Sequence, residues 1–484
     1  MIRASREGDP SERSAGAARR RRRAWLASLL VALAACHGGS EHPPNIVIIT
    51  LDTTRADHLG LYGYFRDTSP TLDAFAKQAI VFDRAIVPMA MTLPTHTSFL
   101  TALHPLEHGV LGNSAEGGAR FVLPSRILPL AEVARAAGWR TAAIVSATPL
   151  KRGSGIEKGF EYFNEPQGPR QDGQRTTDAA LAWLAGVPVG PFLLWVHYFD
   201  AHTPFTSPTS YMTMFSTDPA LEAMIAERKI PRTAFHLLPN TMEDTRASIN
   251  LYDGELRYQD DQLARLLAAL EARPDWDRTA VVIAGDHGEG LGEHGEAAHG
   301  GTWNEQLHAP LIMRIPGATP GRITTLVTAA DLIPTLLGHL DAPALAPVLA
   351  LASGRDVLAE GARSLPVLSV DSLRKDVTGE SRSALTSERW KFYRVEREDG
   401  GVDHLLFDLV ADPFELTDVA AQHPVEVKQL DAALQVALDA RARTGFELRG
   451  GKEPTTTPAD PETVEQLRAL GYVVDEAPRP GGAR

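Results

Sequence analysis

The chain has 484 residues, a formal net charge of −13 and a hydrophobic fraction of 43%. That length exceeds what one small core needs, so one large domain with a smaller one is expected. The acidic balance argues against a nucleic-acid backbone as partner, and a single cysteine excludes an intrachain disulfide framework. Residues 1–35 hold eight Arg against three Asp or Glu, so removing that +5 leaves −18 on the remainder. An anionic small substrate stays compatible with this charge, because a local metal ion outweighs a distant field.

In chain order, the first feature is a basic block at 19–23 followed by an apolar run at 24–35 (AWLASLLVALAA). The run is too short to span a bilayer comfortably and reads as an export signal. It ends in Leu33-Ala34-Ala35-Cys36, which resembles the lipobox of bacterial lipoproteins, where the cysteine is lipidated and becomes the first mature residue. The alternative is an ordinary cleaved signal with an incidental cysteine. The expectation is a signal segment 1–36, a polar tether 37–44, and an exported protein lipid-anchored to a bacterial membrane through Cys36, periplasmic or at the cell surface.

From residue 45 onward, strand-like and helix-like segments alternate. Residues 46–49 are a β-branched apolar run bounded by turn residues, which reads as a buried parallel strand. The pattern then predicts a helix at 128–137, a strand at 142–145, a helix at 177–184, a strand at 192–196 and a helix at 252–272. A second buried strand follows at 280–283, then a strand at 311–314 and a helix at 331–337. Such alternation favours a largely parallel sheet covered on both faces. A weaker, more polar stretch at 342–377 precedes two antiparallel strands at 390–395 and 404–409 and a helix near 425–442. The expected fold class is α/β, a large central mostly parallel sheet flanked by helices, with a small C-terminal α+β subdomain. The expected divisions are a catalytic domain at 45–345, the subdomain at 346–472 and a disordered tail at 473–484.

Both buried strands run into acidic loops, LDTTRAD at 51–57 and GDHGEG at 285–290. In open α/β sheets, polar groups just past the carboxyl ends of strands face the ligand crevice. Asp52, Asp286 and His287 are hard or borderline metal ligands that could converge there. A third stretch, TLPTHTSFLT at 92–101, places a hydroxyl at a helix start. Thr92 there is well placed as a nucleophile, since helix N-termini favour anions. It also suits an N-cap with Pro94 in the first turn.

Residues 45–64 (NIVIITLDTTRADHLGLYGY), 92–101 with His108-Gly109-Val110, and 281–310 resemble the sulfatase family of the alkaline phosphatase superfamily. Flanking segments agree: 192–205 (FLLWVHYFDAHTPF), 252–266, 331–337 and 406–418 (LFDLVADPFELTD). Residues 461–472 (PETVEQLRALGY) are similar to a tail common in bacterial members. The likeness spans nearly all of 45–472. One departure is chemical. The family's activated residue is a Cys or Ser in a C/S-x-P-x-R motif, oxidised to formylglycine. That position holds Thr92 here, and the Arg position holds His96. A threonine is not converted to that aldehyde, so no formylglycine is expected. The Lys and His that many members place after the next strand are also missing at Val145-Ser146-Ala147-Thr148, and the second N-terminal Asp is Thr53.

The resemblance implies a different site. Asp52, Thr92, Asp286 and His287 resemble the one-metal set of superfamily members with a threonine nucleophile, such as phosphodiesterases and phosphoethanolamine or glycerol-phosphate transferases. One divalent cation (Ca²⁺, Mg²⁺, Mn²⁺ or Zn²⁺) is expected. His299 matches a lysine position near the substrate oxyanion, where it would protonate the leaving oxygen; the alternative is a loop histidine beside Gly300-Gly301. His202 resembles the family's substrate-binding histidine or is structural. Asn113 and His96 are grouped with substrate binding. Arg55 binds substrate oxygens or pairs with an acidic metal ligand. His294 and His308 lie near the motif as supporting or packing residues. The implied function is hydrolysis or transfer of sulfate, phosphate or phosphonate esters of a small molecule, glycan or lipid headgroup, with Thr92 as nucleophile. The competing function is a catalytically silent lipoprotein that binds an anionic glycan or lipid headgroup.

Overall fold

The computed structural model describes residues 43–236, 241–371 and 379–473. Cys36 with the signal segment, most of the tether and the tail beyond 473 lie outside them. The described strands are β1 (Asn45–Leu51), β2 (Ile80–Phe82), β3 (Arg120–Val122), β4 (Arg140–Ile144), β5 (Tyr162–Asn164), β6 (Phe192–Tyr198), β7 (Thr233–His236) and β8 (Thr241–Asp244). They continue as β9 (Thr279–Gly285), β10 (Leu311–Arg314), β11 (Gly321–Ile323), β12 (Val367–Val370), β13 (Glu380–Thr386), β14 (Trp390–Arg397), β15 (Val402–Asp408) and β16 (Thr455–Thr457).

Eight of them form a central sheet in the order β11-β2-β10-β9-β1-β6-β4-β5. All pairings are parallel except those of β10, which runs against β2 and β9. The sheet is covered on both sides, and period-two alternation divides each central strand between two cores. Ile46, Ile48, Val282, Leu193 and Trp195 face the core that contains helices Thr92–Thr101, Leu130–Ala136 and Leu332–Gly338. Val47, Ile49, Ile283, Leu194 and Val196 face the other, under helices Pro70–Phe75, Gly173–Gly186, Pro219–Glu227 and Thr245–Glu271. This is why β1 and β9 read as continuous apolar runs: both faces are buried, and all seven residues of each strand are buried.

The long helix starts earlier than the apolar periodicity suggests. Asp244 caps it at Thr245 by accepting from the Arg246 and Ala247 amides. Packing of the large core continues past residue 345. Leu345, Val348 and Val357 belong to the main core, so the polar-looking stretch is still part of the large domain. The antiparallel sheet β12-β13-β14-β15 follows, and Leu434 of helix Pro424–Leu448 packs against its Leu368, Leu385, Phe392 and Leu406. The last described segment then leaves that subdomain. β16 pairs with β3 of the large domain, and the helix Pro461–Ala469 carries the chain back to the edge of the crevice. Among the described residues, no helix is long and apolar enough to cross a membrane.

A buried polar joint ties the small sheet to the large domain. Glu415 accepts from Lys391 Nζ at 3.0 Å, from the Tyr393 hydroxyl at 2.9 Å and from the Asn304 amide at 2.8 Å. Beside it, His294 stacks on Trp303 with ring centroids 3.8 Å apart, and its ring nitrogens lie 2.9 Å from Glu305 Oε1 and 3.1 Å from the Glu415 carbonyl. His294 is therefore a packing and tethering residue. Burial disfavours its charge, but the hydrogen bond and negative charge of Glu305 overcome this and lift its pKa to about 9. A histidine pKa raised on folding contributes stability that is complete below the unfolded value near 6.5 and is lost as pH rises through the folded value. The stability difference between native protein and His294→Gln should therefore be largest at pH 6 and shrink between about pH 6.5 and 9. Denaturant titrations across that range would measure it, and a difference independent of pH would contradict the assigned ion pair.

Candidate active site

Strand register builds the site. Leu51 of β1 lies opposite Gly285 of β9, so Asp52 and Asp286 leave adjacent parallel strands side by side. The Asp286 amide reaches back to Leu51 O at 3.3 Å and the Asp52 amide to Tyr198 O at 2.9 Å, which holds both turns close to the sheet. Asp52, Asp286, His287 and Thr92 are all fully buried.

The hydrogen bonds of these residues leave one atom of each ligand without a partner. Asp286 Oδ1 accepts from the Thr53 amide at 3.2 Å and the His287 amide at 2.8 Å, whereas its Oδ2 has none. Asp52 Oδ2 lies 3.1 Å from His197 Nε2, and its Oδ1 has none. His287 Nδ1 sits 2.8 Å from the Gly288 carbonyl, which requires the proton on Nδ1 and leaves a lone pair on the unpartnered Nε2. One ligand atom from each of the three residues falls within 4.8 Å of the others. Buried polar atoms without partners are uncommon, and three converging at one point suit a cation coordinated at about 2.0–2.6 Å. The two carboxylates and one imidazole expected from the sequence are thus brought together.

Electrostatics agree with that donor set. Burial pushes Asp52 up to about 7, and burial together with the Asp52 charge pushes Asp286 well above the usual carboxylate range. Burial holds His287 well below its ordinary value, in the neutral form that binds metals. Two facing carboxylates in a dry site repel unless a positive charge sits between them.

Thr92 is the first residue of the helix Thr92–Thr101, and the cap position is Met91. The N-cap alternative for Thr92 therefore fails. Its hydroxyl instead contacts the Asp52 carboxylate and receives Asn113 Nδ2 at 3.3 Å. Asn113 Oδ1 takes over the capping task by accepting the Leu93 amide at 2.8 Å. Asn113 thus lies against the candidate nucleophile.

His299 Nδ1 lies 3.2 and 3.3 Å from the two Glu289 oxygens, and its ring stands 4.5 Å from that of His287. Burial disfavours the charged ring, but Glu289 and then Asp52 outweigh it and raise the pKa. His202 stacks on Phe199 at 4.3 Å, and its ring centroid is 5.0 Å from that of His299. Its Nε2 is 2.7 Å from the Tyr472 hydroxyl.

The structure places two of the expected substrate-binding residues in other contacts. Arg55 pairs with Asp57 and Glu293, which are not among the three candidate metal ligands. It is fully buried in ion pairs of 2.8 Å with Asp57 and 2.9 Å with Glu293, and it donates to the Glu289 carbonyl at 3.0 Å. It fixes the acidic loops to each other, because a buried guanidinium needs charged partners. His96 is likewise engaged by backbone and side-chain partners. Its nitrogens lie 2.7 Å from Thr92 O and 2.9 Å from Thr50 Oγ1, and burial lowers its pKa to about 3. It forms a neutral support behind Thr92 and Asp286. His308 is also a packing residue, bonded to Asp83 O at 2.9 Å.

Three residues near the site were not anticipated: His197, Glu289 and Tyr472. His197 had a readable signal, since it is the only ionisable side chain in the apolar strand FLLWVHY apart from the terminal tyrosine. Glu289 lies in the acidic loop itself. Tyr472 is far away in sequence and is brought in only by the return of the tail.

Comparison with known proteins agrees with this architecture. The family model described as Sulfatase matches residues 44–342. An ulvan-active sulfatase from Formosa agariphila is 26% identical over 435 residues, covering 82% of this chain and 81% of its own. PehA, a multifunctional alkaline phosphatase superfamily protein from Trinickia caryophylli, is 24% identical over 486 residues, covering 78% of this chain and 91% of its own. Among solved structures, the phosphonate monoester hydrolase of Agrobacterium radiobacter superposes with a TM-score of 0.63 at 21% identity, covering 82% of this chain and 96% of its own. A 2-O GAG sulfatase superposes with a TM-score of 0.63 at 20% identity, covering 87% and 96%. At these identities the solved structures share the fold. The chain belongs to the sulfatase family, and it is an ester hydrolase of that family.

A cation between the three free ligand atoms should stabilise the folded protein. At a concentration about a thousandfold above Kd the gain is about 4 kcal/mol. Mn²⁺, Zn²⁺, Mg²⁺ or Ca²⁺ added to chelated protein should raise the Tm, and Asp286→Asn should lose that response. In the chelated state, Asp286→Asn should be at least as stable as native protein, because one of two facing buried carboxylates is gone. Thermal melts of both proteins with and without cation test this; a native Tm insensitive to every cation would contradict it.

Proposed function

We propose that this protein is a metal-dependent hydrolase of sulfate, phosphate or phosphonate esters in which Thr92 is the nucleophile. The observation that carries the proposal is the convergence of Asp52 Oδ1, Asp286 Oδ2 and His287 Nε2, each buried and unpartnered, next to the Thr92 hydroxyl. Asp52, Asp286 and His287 would hold the cation, with Thr92 beside them. When bound, a divalent cation supplies Lewis-acid activation of that hydroxyl and neutralises charge on the transferring group.

The remaining steps belong to this chain's own residues. Thr92 Oγ1 gives up its proton to solvent and attacks the sulfur or phosphorus, and the bond from that atom to the leaving oxygen breaks. His299, biased toward its protonated form by Glu289, gives its proton to the leaving oxygen. The first half-reaction therefore moves the anionic group from substrate oxygen to Thr92 and releases an alcohol. Water then attacks the Thr92 ester and passes one proton to His299, the Thr92 oxygen takes a proton back from solvent as its bond to the sulfur or phosphorus breaks, and the inorganic anion is freed. Asn113 holds the Thr92 oxygen in place throughout. A threonine ester has to be opened by a second nucleophile, a route that suits in-line phosphoryl transfer. Phosphate and phosphonate esters are therefore the preferred substrates, with sulfate esters second.

The test is a screen of the full chain on aryl phosphate monoesters, diesters, phosphonate monoesters and sulfates, followed by trapping of the adduct. The added mass should map to the peptide carrying Thr92. Thr92→Ala should reduce kcat/KM by at least about 10³-fold, the scale of losing a catalytic nucleophile. Full activity in Thr92→Ala would remove the covalent mechanism.

The proposal includes attachment of the mature protein to a membrane through lipidated Cys36, on the strength of the basic block, apolar run and Leu33-Ala34-Ala35-Cys36. Cys36→Ala should block processing or release the protein from the membrane fraction. Identical fractionation of variant and native protein would leave an ordinary cleaved signal.

A further inference from the structure

We propose that His197 is a positioning residue for the candidate metal centre: from the strand beside β1 it pins one oxygen of Asp52 and leaves the other for the cation. The inference rests on the reading of Asp52, Asp286 and His287 as ligands of one cation.

Strand register puts the histidine in place. β6 pairs in parallel with β1, and His197 lies directly opposite Thr50, two residues before Asp52. Side chains two apart along a strand share a face, so His197 stands on the face from which Asp52 emerges. It is the face of Ile48 and Trp195, opposite to that of Val47 and Val196. His197 is fully buried there, next to neighbours that are apolar.

Two hydrogen bonds fix the ring and its proton. The Ser146 amide, in the turn after β4, donates to His197 Nδ1 at 3.3 Å. A backbone N–H only donates, so Nδ1 offers a lone pair and the ring proton sits on Nε2. Nε2 lies 3.1 Å from Asp52 Oδ2 and therefore donates to it. Reversing the ring about its bond to Cβ would set carbon atoms against both partners, so the same two contacts select its orientation. Ser146 is tied back in turn, because its hydroxyl donates to the His197 carbonyl at 2.5 Å.

The Asp52 carboxylate is divided as a result. Oδ2 is held by His197, and Oδ1 is buried without a partner. Asp286 is divided in the same way: the Thr53 and His287 amides hold its Oδ1, and its Oδ2 has no partner. The loop's own backbone does this for Asp286, whereas Asp52 takes its donor from a side chain on the neighbouring strand. Without that donor the Asp52 carboxylate is free to turn about its Cβ–Cγ bond. A neutral imidazole holds it without placing a second positive charge beside the cation, as a lysine or arginine would.

The full chain tests this by tautomer and by cation affinity. Nitrogen-15 NMR of chelated, histidine-labelled protein should show His197 protonated at Nε2 and bare at Nδ1, its signals assigned by their loss in His197→Gln. For affinity, Mn²⁺, Zn²⁺, Mg²⁺ and Ca²⁺ are titrated calorimetrically into chelated protein, and variants are compared with the tightest binder. His197→Leu removes the donor and keeps an apolar side chain, and its Kd should rise about 10- to 100-fold, the scale of losing a partner that orients a metal ligand. His197→Gln carries an amide N–H at the reach of Nε2 and should stay within about threefold of native, which a merely space-filling role does not require. If the leucine variant does not fold, His197→Asn, whose shorter amide falls short of Asp52, replaces it with the same expectation. A native Kd in the leucine or asparagine variant, a glutamine variant as weak as they are, or a proton on Nδ1 would overturn the proposal. Native protein that binds none of the four cations would instead defeat the metal reading, and this inference with it, which separates the two failures.

Discussion

Two carboxylates held side by side in a dry site are the constraint around which the rest of this structure is arranged. Asp52 and Asp286 leave neighbouring strands one residue beyond a paired Leu51 and Gly285, so the sheet register alone brings them together. Their proximity opposes folding, since each buried charge without a counter-ion costs several kcal/mol. The strands beneath offset that cost. β1 and β9 are buried on both faces, and each fully buried large apolar side chain contributes about 1.5–3 kcal/mol. A rigid sheet can therefore hold a repulsive pair in place until a cation relieves it.

The surroundings are layered by charge. Behind the carboxylates, His96 and His197 are neutral, both lowered to about 3 by burial, and they accept or donate without adding charge. In front, His299 is biased toward its protonated form by Glu289. To the side, Arg55 and Arg228 are committed to Asp57, with Arg55 also on Glu293, so these cations brace the loops rather than neutralise the ligands. In the proposed mechanism His299 is the group that protonates the leaving oxygen, and among the described residues Arg55 and Arg228 stay on the bracing acids.

The C-terminal part of the chain acts at two places. Its sheet and long helix are tied to the large domain through Glu415, Lys391, Tyr393 and His294 around Trp303. Its final segment leaves that unit, adds β16 to β3 and brings Tyr472 against His202. Tyr472 therefore lies beside a candidate site residue, although almost the whole sequence separates it from Asp52.

Much of the site was legible without coordinates. Asp52, Asp286 and His287 follow β-branched runs, and a parallel strand buried on both faces needs such runs, so the acids past their ends had to emerge together at one edge of the sheet. The helix start at Thr92 was legible from the hydroxyl and Pro94 that follow one another there. Strand 311–314 matched to the residue, but its antiparallel direction was not readable, because side-chain alternation is the same in either direction. The contacts of Arg55 and His96 were not readable for a different reason. Sequence gives their chemical type, whereas their partners Asp57, Glu293 and Thr50 are set by packing. Local pattern therefore determined the elements and the ligand types. Tertiary structure alone decided which ligand atoms were left without partners, which cations were already paired, and that Tyr472 returns to His202, since each depends on contacts between segments that are remote along the chain.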